Sequence, residues 1–202
     1  GCVGVDTISI STIGLNLIIS NVVPETCFGD CDGSATVVAS NGTLPYSYLW
    51  TPTNQPTPTA TGLCVGSYMV TVSDSLNCSD SISTNISGPT ILTVAASVNT
   101  PISCNGICDG AVIANAIGGT PNYFYSWNTT PVQTTQIATG LCAGTYIVTV
   151  TDDNGCTAFD TIVLTEPTPI LANEILTTPA CGLCDGVITV APTGGTASYT
   201  FL

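Results

Sequence analysis

The feature that most constrains this sequence is an internal repeat of about 77 residues. The motif CFGDCDG at residues 27–33 returns as CNGICDG at 104–110 and, one residue shorter, as CGLCDG at 181–186. A second motif recurs at nearly the same spacing, as LCVGSYMVTVSD at 63–74 and LCAGTYIVTVTD at 141–152. Self-similarity at a fixed period is the signature of an array of like modules.

The spacing predicts four parts. These are the last strand of a preceding repeat at 1–11, complete repeats at 12–88 and 89–166, and the first half of a following repeat at 167–202. We therefore expect the chain to be a window cut from a longer polypeptide. The joins are short and contain proline, which favours a linear rod over a flexible string.

The alternation of side chains predicts an all-β fold. Tyr68, Val70 and Val72 alternate with Met69 and Thr71, and the second repeat has the same pattern. Period-two alternation of β-branched and aromatic residues is typical of strands. About seven short strands per repeat predict tandem immunoglobulin-like β-sandwiches. In that fold Trp50 is expected in the core on the third strand, and Tyr68 at the corner before the penultimate strand.

The charge composition excludes several functional classes. The chain has no Lys, Arg or His and 13 acidic residues, which gives a net charge of −13. A cationic surface for nucleic acid, a Ser-His-Asp or Cys-His nucleophile and a histidine-ligated metal are therefore impossible. No apolar run reaches the 18 or so residues of a membrane-spanning segment. We expect no catalytic residues, no enzyme activity and no cofactor, with calcium as the single candidate exception.

Four cysteines in each repeat predict disulfide-stapled modules in an oxidising compartment. Close Cys pairs also resemble zinc ligands, but their partners do not form a second close pair. Cys64 and Cys78 flank a strand of about eight residues, roughly 26 Å long, and are not expected to pair. That leaves Cys27–Cys78 with Cys31–Cys64, or the crossed pairing. The equivalent cysteines of the second repeat are Cys104, Cys108, Cys142 and Cys156.

These motifs resemble the SprB-type repeat of bacterial gliding-motility adhesins. The resemblance rests on the Cys-x-Gly-x-Cys-Asp-Gly motif, on GGTPNYFYSW at 118–127, on LCAGTYIVTVTDDNGC at 141–156 and on the Glu-Pro that follows. It implies a very large secreted protein at the bacterial cell surface, exported by the type IX pathway. In that setting tandem repeats form a filament used in attachment and gliding. The resemblance also favours the pairs Cys27–Cys78 and Cys104–Cys156.

Recurring aspartates are candidate calcium ligands, because nothing else in the chain neutralises their charge. The competing interpretation is that they shape turns by accepting hydrogen bonds from nearby amides, and we favour it. The residues concerned are Asp32, Asp74, Asp109 and Asp152.

A recurring Asp-(Ser/Thr)-aliphatic pattern resembles the O-glycosylation signal of gliding-type bacteria. It marks Thr7, Ser75, Ser81 and Thr161. Ordinary strand alternation also produces such short patterns, so glycosylation stays a hypothesis.

The function we predict is an adhesive and structural stalk whose partners are the neighbouring repeats of the same chain. One alternative is a self-assembling extracellular fibre, in which copies of the filament pair laterally. Another is a carbohydrate-binding array that presents Tyr46, Tyr48 and Trp50 to surface polysaccharide. We expect those aromatic residues to pack in the core instead.

Overall fold

A computed structural model of the chain describes residues 14–177, 186–196 and 198–201. It contains β-strands and no helix within those residues. Accordingly, none of the described segments forms a helix with the length and hydrophobicity needed to cross a membrane. The chain divides into two units, Gly1–Ile91 and Leu92–Leu202. The first contains one sandwich, and the second contains another sandwich and a hairpin.

Six strands form the sandwich of the first repeat: β1 (Asn16–Val23), β2 (Gly33–Ser40), β3 (Ser47–Thr51), β4 (Thr59–Leu63), β5 (Gly66–Ser73) and β6 (Ser79–Ile86). Two antiparallel three-stranded sheets have the orders β1-β2-β4 and β3-β5-β6. In immunoglobulin notation these sheets are A-B-E and C-F-G, the constant-type arrangement without its D strand. The fold class is confirmed, with six strands in place of about seven.

The second repeat reproduces this order with β7 (Thr90–Thr100), β8 (Gly110–Gly119), β9 (Phe124–Trp127), β10 (Ile137–Leu141), β11 (Gly144–Thr151) and β12 (Thr157–Leu164). Its sheets are β7-β8-β10 and β9-β11-β12. A last hairpin pairs β13 (Leu171–Thr177) with β14 (Val187–Thr193), the positions of the first two strands of a third repeat. The repeat boundaries at 12–88 and 89–166 remain predictions.

Alternating side chains fill each core. Val70 and Val72 of β5 point inward with Trp50, and all three are fully buried. Trp50 lies on the third strand, as predicted, and its indole Nε1 donates to the carbonyl of Thr57 at 2.9 Å. The hydroxyl of Tyr68 donates to the carbonyl of Cys64 at 3.0 Å, which is the predicted tyrosine corner. Trp127 and Tyr146 repeat both arrangements.

Strand register defines two ends of each sandwich. The leading end of the first repeat is where β1 begins, and it includes the turns after β2 and β5. The trailing end is where β6 ends, and it includes the β1–β2 loop and the β4–β5 corner. Gly66 pairs with Ile86 at the trailing end, and Ser73 pairs with Ser79 at the leading end. The second repeat has the same two ends, with β7 beginning at the leading one.

Candidate functional site at the sandwich ends

A disulfide closes the trailing end of each sandwich. Cys31, two residues before β2, bonds to Cys64, which lies between β4 and β5, and their Cα atoms are 3.8 Å apart. Cys108 bonds to Cys142 in the second repeat, with a Cα separation of 4.0 Å. These bonds belong to the first of the two pairings that the sequence left open, so the crossed pairing is wrong.

The other pairing that the resemblance favoured, Cys27–Cys78 and Cys104–Cys156, is also wrong. Cys78 and Cys104 have exposed, free thiols. The reason is distance: Cys27 lies in the trailing-end loop, whereas Cys78 lies at the leading end, an eight-residue strand of about 26 Å away. Cys27 and Cys156 are both disulfide-bonded. Cys2, Cys181 and Cys184 lie outside the described residues.

Asp32 and Asp109 stabilise the cysteine loops, which are the trailing-end loops between the first two strands of each repeat. The amide of Thr26 donates to Asp32 Oδ1 at 2.8 Å, and the amide of Ser103 donates to Asp109 Oδ1 at 3.0 Å. Hydrogen bonds from Thr26 lower the pKa of Asp32, and those from Ser103 lower the pKa of Asp109. Each carboxylate therefore closes a loop by accepting a hydrogen bond across six residues, as the turn interpretation predicts.

A second carboxylate anchors the same loop from a different place in each repeat. Glu25, which is buried, accepts a hydrogen bond from the amide of Cys31 at 2.6 Å. The equivalent position in the second repeat is Ile102, and there Glu166 accepts from the amide of Gly106 at 2.8 Å. This role was not predicted from the sequence. The signal for it was that Glu25 is aligned with an apolar residue, Ile102, in the second repeat.

Asp74 and Asp152 organise the leading ends. Asp74 accepts hydrogen bonds from the amides of Thr43 at 3.0 Å and of Leu76 and Cys78 at 2.9 Å. The amides of Thr120, Asn154 and Cys156 donate to Asp152 at 2.8, 3.0 and 2.9 Å. Each carboxylate thereby connects the turn after the second strand of its repeat to the turn after the fifth.

These hydrogen bonds favour the charged form of both carboxylates. The amide of Thr43 is the largest cause that lowers the pKa of Asp74, followed by the amide of Cys78. Burial by itself would raise the pKa of Asp152, but the surrounding backbone amides outweigh it and the pKa is lowered. The two groups are thus held ionised by backbone dipoles in a chain that has no cationic side chain.

The four candidate calcium ligands do not converge. Asp32 and Asp109 lie at trailing ends, and Asp74 and Asp152 lie at leading ends. Among the residues that the structure describes, no three acidic, histidine or cysteine side chains are grouped as metal ligands would be. The oxygens of these carboxylates point at backbone amides, which is the geometry of structural turns.

The aromatic candidates belong to the packing of the first sandwich. Trp50 is fully buried, and Tyr46 and Tyr48 are half-buried against the same core. The hydroxyl of Tyr46 also donates to the carbonyl of Gly42 at 3.2 Å, within the turn after β2. A sugar-stacking platform needs an exposed ring face, and Trp50 offers none.

Three of the four candidate glycosylation residues lie on described, exposed surface: Ser75, Ser81 and Thr161. Ser81 on β6 and Thr161 on β12 are both exposed, but they are not equivalent positions, because Ser81 corresponds to Phe159 of β12. Ser75 lies in the leading-end turn. Thr7 lies outside the described residues. The aspartate before Thr161 also has a structural partner, because Asp160 Oδ2 accepts from the amide of Ala96 at 2.7 Å.

Comparison with solved structures finds matches at low sequence identity. The C-terminal 282-residue fragment of intimin, solved with the translocated intimin receptor's intimin-binding domain, is 16% identical with a TM-score of 0.40. The match covers 78% of this chain and 66% of the intimin fragment. A structure described as the structural basis for Dscam isoform specificity is 15% identical, with a TM-score of 0.34, over 76% of this chain and 47% of that one. No curated protein matches the sequence significantly.

The family comparison is specific and follows the repeat. The model of the SprB repeat matches residues 19–55, 96–131 and 174–202, once in each predicted repeat. Together these segments are just over half of the 202 residues. They contain the cysteine loops, the strand that follows each loop and, in the first two copies, the core tryptophan. The chain belongs to the SprB repeat family.

Proposed function

We propose that this chain is a stalk segment of a very large secreted bacterial surface adhesin, in which tandem sandwiches extend the protein away from the cell. The observation that carries this proposal is that the recurring polar residues are occupied in holding each sandwich together. Asp74 and Asp152 accept amide hydrogen bonds at the leading ends, and Cys31–Cys64 closes a trailing end. Membership of the SprB repeat family supports an adhesin-type role at the cell surface.

The mechanism of the stalk is mechanical. Each sandwich resists extension through its interstrand hydrogen bonds, and the Cys31–Cys64 bond limits how far a pulled repeat unravels. The complete lack of Lys and Arg leaves trypsin-like proteases no cleavage site. A net charge of −13 keeps neighbouring filaments soluble and apart.

Several finer properties belong to the same proposal. Export by the type IX pathway and a part in gliding follow from the family resemblance. O-glycosylation would fall on the exposed hydroxyls of Ser75, Ser81 and Thr161. Calcium, if it binds, would do so through surface carboxylates that are not already satisfied by amides.

Two measurements test the stalk proposal. Antibodies raised against the 202-residue chain are expected to label intact, unpermeabilised cells. The purified chain is expected to bind none of a panel of immobilised bacterial and plant polysaccharides. Labelling only after cell lysis, or polysaccharide binding that Tyr48→Ala abolishes, would contradict the proposal. The second result would favour the carbohydrate-binding array.

A self-assembling fibre is the second candidate, and one surface favours it. Phe124, Phe159 and Val163 lie on the outward face of the β9-β11-β12 sheet and are 60, 76 and 59% exposed. Exposed apolar patches on soluble proteins often mark interaction surfaces. The fibre predicts that the native filaments form lateral bundles in electron micrographs and that Phe159→Ser disperses them. If the native and the Phe159→Ser filaments both appear as single threads, the fibre is contradicted and the stalk remains the proposed function.

A further inference from the structure

One edge of each A-B-E sheet has no neighbouring strand. In the part of the chain that the structure describes, β4 pairs with a strand on one side only, β2, and β10 pairs only with β8. The open side is the position that a D strand occupies in a constant-type immunoglobulin sandwich. Backbone N–H and C=O groups along such an edge are a template on which a strand of another chain can pair.

Strand register identifies the backbone groups of β4 that face the open edge. Thr59 of β4 lies opposite Thr36 of β2. Their hydroxyl oxygens are 3.0 Å apart, the close side-chain approach that is typical of a non-hydrogen-bonded pair. The N–H and C=O groups of Thr59 therefore point away from β2. Alternate residues of a strand have the same orientation, so those of Thr61 point away from β2 as well.

A glutamine side chain occupies this edge. The carboxamide of Gln55 donates from Nε2 to the carbonyl of Thr61 at 2.9 Å, and its Oε1 accepts from the amide of Thr61 at 3.0 Å. These are the two kinds of hydrogen bond that a neighbouring antiparallel strand exchanges with one residue. The side-chain amide of Gln55 thus takes the place of a peptide group of a D strand.

A threonine two residues further on covers the rest of the edge. The hydroxyl of Thr57 donates to the carbonyl of Thr59 at 2.7 Å. Gln55 and Thr57 together bond three of the four outward-facing backbone groups of Thr59 and Thr61. The pairing of β2 with β4 shifts register directly after Thr61, where Gly62 has a φ of 67°. A bulge of this kind ends the regular edge.

The second repeat has the same arrangement. Gln133 exchanges the same two hydrogen bonds with Thr139, at 3.0 Å from Nε2 and 2.9 Å to Oε1. The hydroxyl of Thr135 donates to the carbonyl of Ile137 at 2.6 Å. The prolines on either side of Thr57 are absent from the second repeat, whereas the glutamine and the threonine recur. The shared feature is therefore the pair of side chains that bond the edge.

The strand of the core tryptophan holds each glutamine in place. The amide of Trp50 donates to the carbonyl of Gln55 at 3.0 Å, and the amide of Trp127 donates to the carbonyl of Gln133 at 2.9 Å. Gln55 and Gln133 are half-buried, although the residues directly before and after them are exposed. Each side chain thus extends from a fixed backbone and lies against the sheet edge.

We propose that Gln55 and Gln133 are edge guards, which prevent β4 and β10 from pairing with the same strands of a second copy of the chain. Around a two-fold axis, two β4 edges would lie antiparallel, and each would supply the hydrogen-bonding groups that the other lacks. Charge does not oppose this contact, because neither β4 nor β10 contains an acidic residue.

Composition explains why a neutral side chain has this role. Natural proteins often protect sheet edges with charged side chains, lysine above all, and this chain has no lysine. A glutamine carboxamide protects the edge in another way, because it bonds the N–H and the C=O group of one residue at once. The inference concerns the sheet edge and does not depend on the stalk function.

Removing one edge guard in the full 202-residue chain tests the proposal. Free thiols are alkylated first, so that disulfide exchange causes no association. Gln55→Ala is expected to fold and to sediment as a dimer at concentrations at which the native chain is a monomer. In dilute, monomeric Gln55→Ala, the Thr61 amide is expected to exchange with deuterium about fivefold faster, because it has lost a hydrogen bond. The control is Thr53→Ala, an exposed position in the same loop, which is expected to stay monomeric.

A second substitution distinguishes edge pairing from association of misfolded chains. Thr61→Pro removes the outward-facing N–H, and proline is accepted in an edge strand at such a position. The double variant Gln55→Ala, Thr61→Pro is expected to be monomeric again, whereas misfolded chains would stay associated. The proposal is overturned if Gln55→Ala is folded and monomeric at every concentration, or if Thr61→Pro leaves its dimers intact. Loss of folding in Gln55→Ala would also overturn it, since the side chain would then be required by the sandwich itself.

Discussion

At the scale of single residues, the fold depends on buried side chains that could be predicted from the sequence and on some polar contacts that could not. Trp50 was expected in the core because it falls on the third strand of an immunoglobulin-like sandwich, and it is fully buried. The turn role of Asp74 was also expected, since Asp commonly bonds to amides within its own turn. Glu25 gave no such signal within its own repeat, and only the comparison with Ile102 at the aligned position marks it as different.

Replacing the core tryptophan tests the packing argument. Trp50→Ala is expected to lower the free energy of unfolding of the first repeat by about 3–5 kcal/mol, since it leaves a large cavity in a core that relaxes only partly. The neighbouring Leu49 is 46% exposed on the same strand, so Leu49→Ala is expected to cost far less. Urea titration of both variants measures the difference. Equal costs would place Trp50 outside a packed core.

The leading-end carboxylates predict how stability depends on pH. Their folded-state pKa values lie below the ordinary value of 3.8. A depressed pKa means that the stabilisation is fully present above the unfolded-state pKa and is lost as pH falls through the folded-state pKa. The chain has no His, Lys or Arg to titrate, so the free energy of unfolding is expected to stay level from about pH 5 to 7. It is expected to decrease as the pH drops below about 3.8.

The variant Asp74→Asn identifies the group responsible. It is expected to reduce the stability at pH 7 and to flatten the loss at low pH, because the amide cannot carry the charge that three backbone N–H groups stabilise. Asp80→Asn is the control, since Asp80 is exposed on β6. Thermal unfolding at several pH values gives both curves. An unchanged acid limb in Asp74→Asn would contradict the assignment.

At the scale of strands and loops, the order of elements was predictable and the cysteine pairing was not. Alternation identified β5, and the tyrosine corner fixed its place as the penultimate strand. The length of β5 excluded a bond between Cys64 and Cys78 from the sequence alone. To exclude a bond between Cys27 and Cys78 as well, one must know at which end of the sandwich the β1–β2 loop lies. Sequence spacing does not say at which end of a sandwich a loop lies, whereas strand register does.

Removing a trailing-end disulfide tests the role of that bond. Replacing both Cys31 and Cys64 with Ala is expected to lower the free energy of unfolding by about 4 kcal/mol, because the unfolded chain regains the freedom of a long closed loop. The bonded residues are 33 positions apart. Cys78→Ala, which removes a free thiol, is expected to leave stability unchanged. If the double variant and Cys78→Ala lost similar amounts of unfolding free energy, the bond would contribute nothing beyond the cysteine side chains.

At the scale of the whole molecule, the same structural residues recur from one repeat to the next. The 77-residue period predicted repeated modules, and the two sandwiches share strand order, buried tryptophan and disulfide position.

Pulling a single molecule measures the central claim, that separately folded sandwiches resist extension. The account predicts two successive unfolding peaks. With reductant present, the first repeat is expected to lengthen by about 110 Å more, since the chain from Cys31 to Cys64, which are 33 positions apart, is released. One peak for the whole chain, or an extension that reductant does not change, would contradict the account.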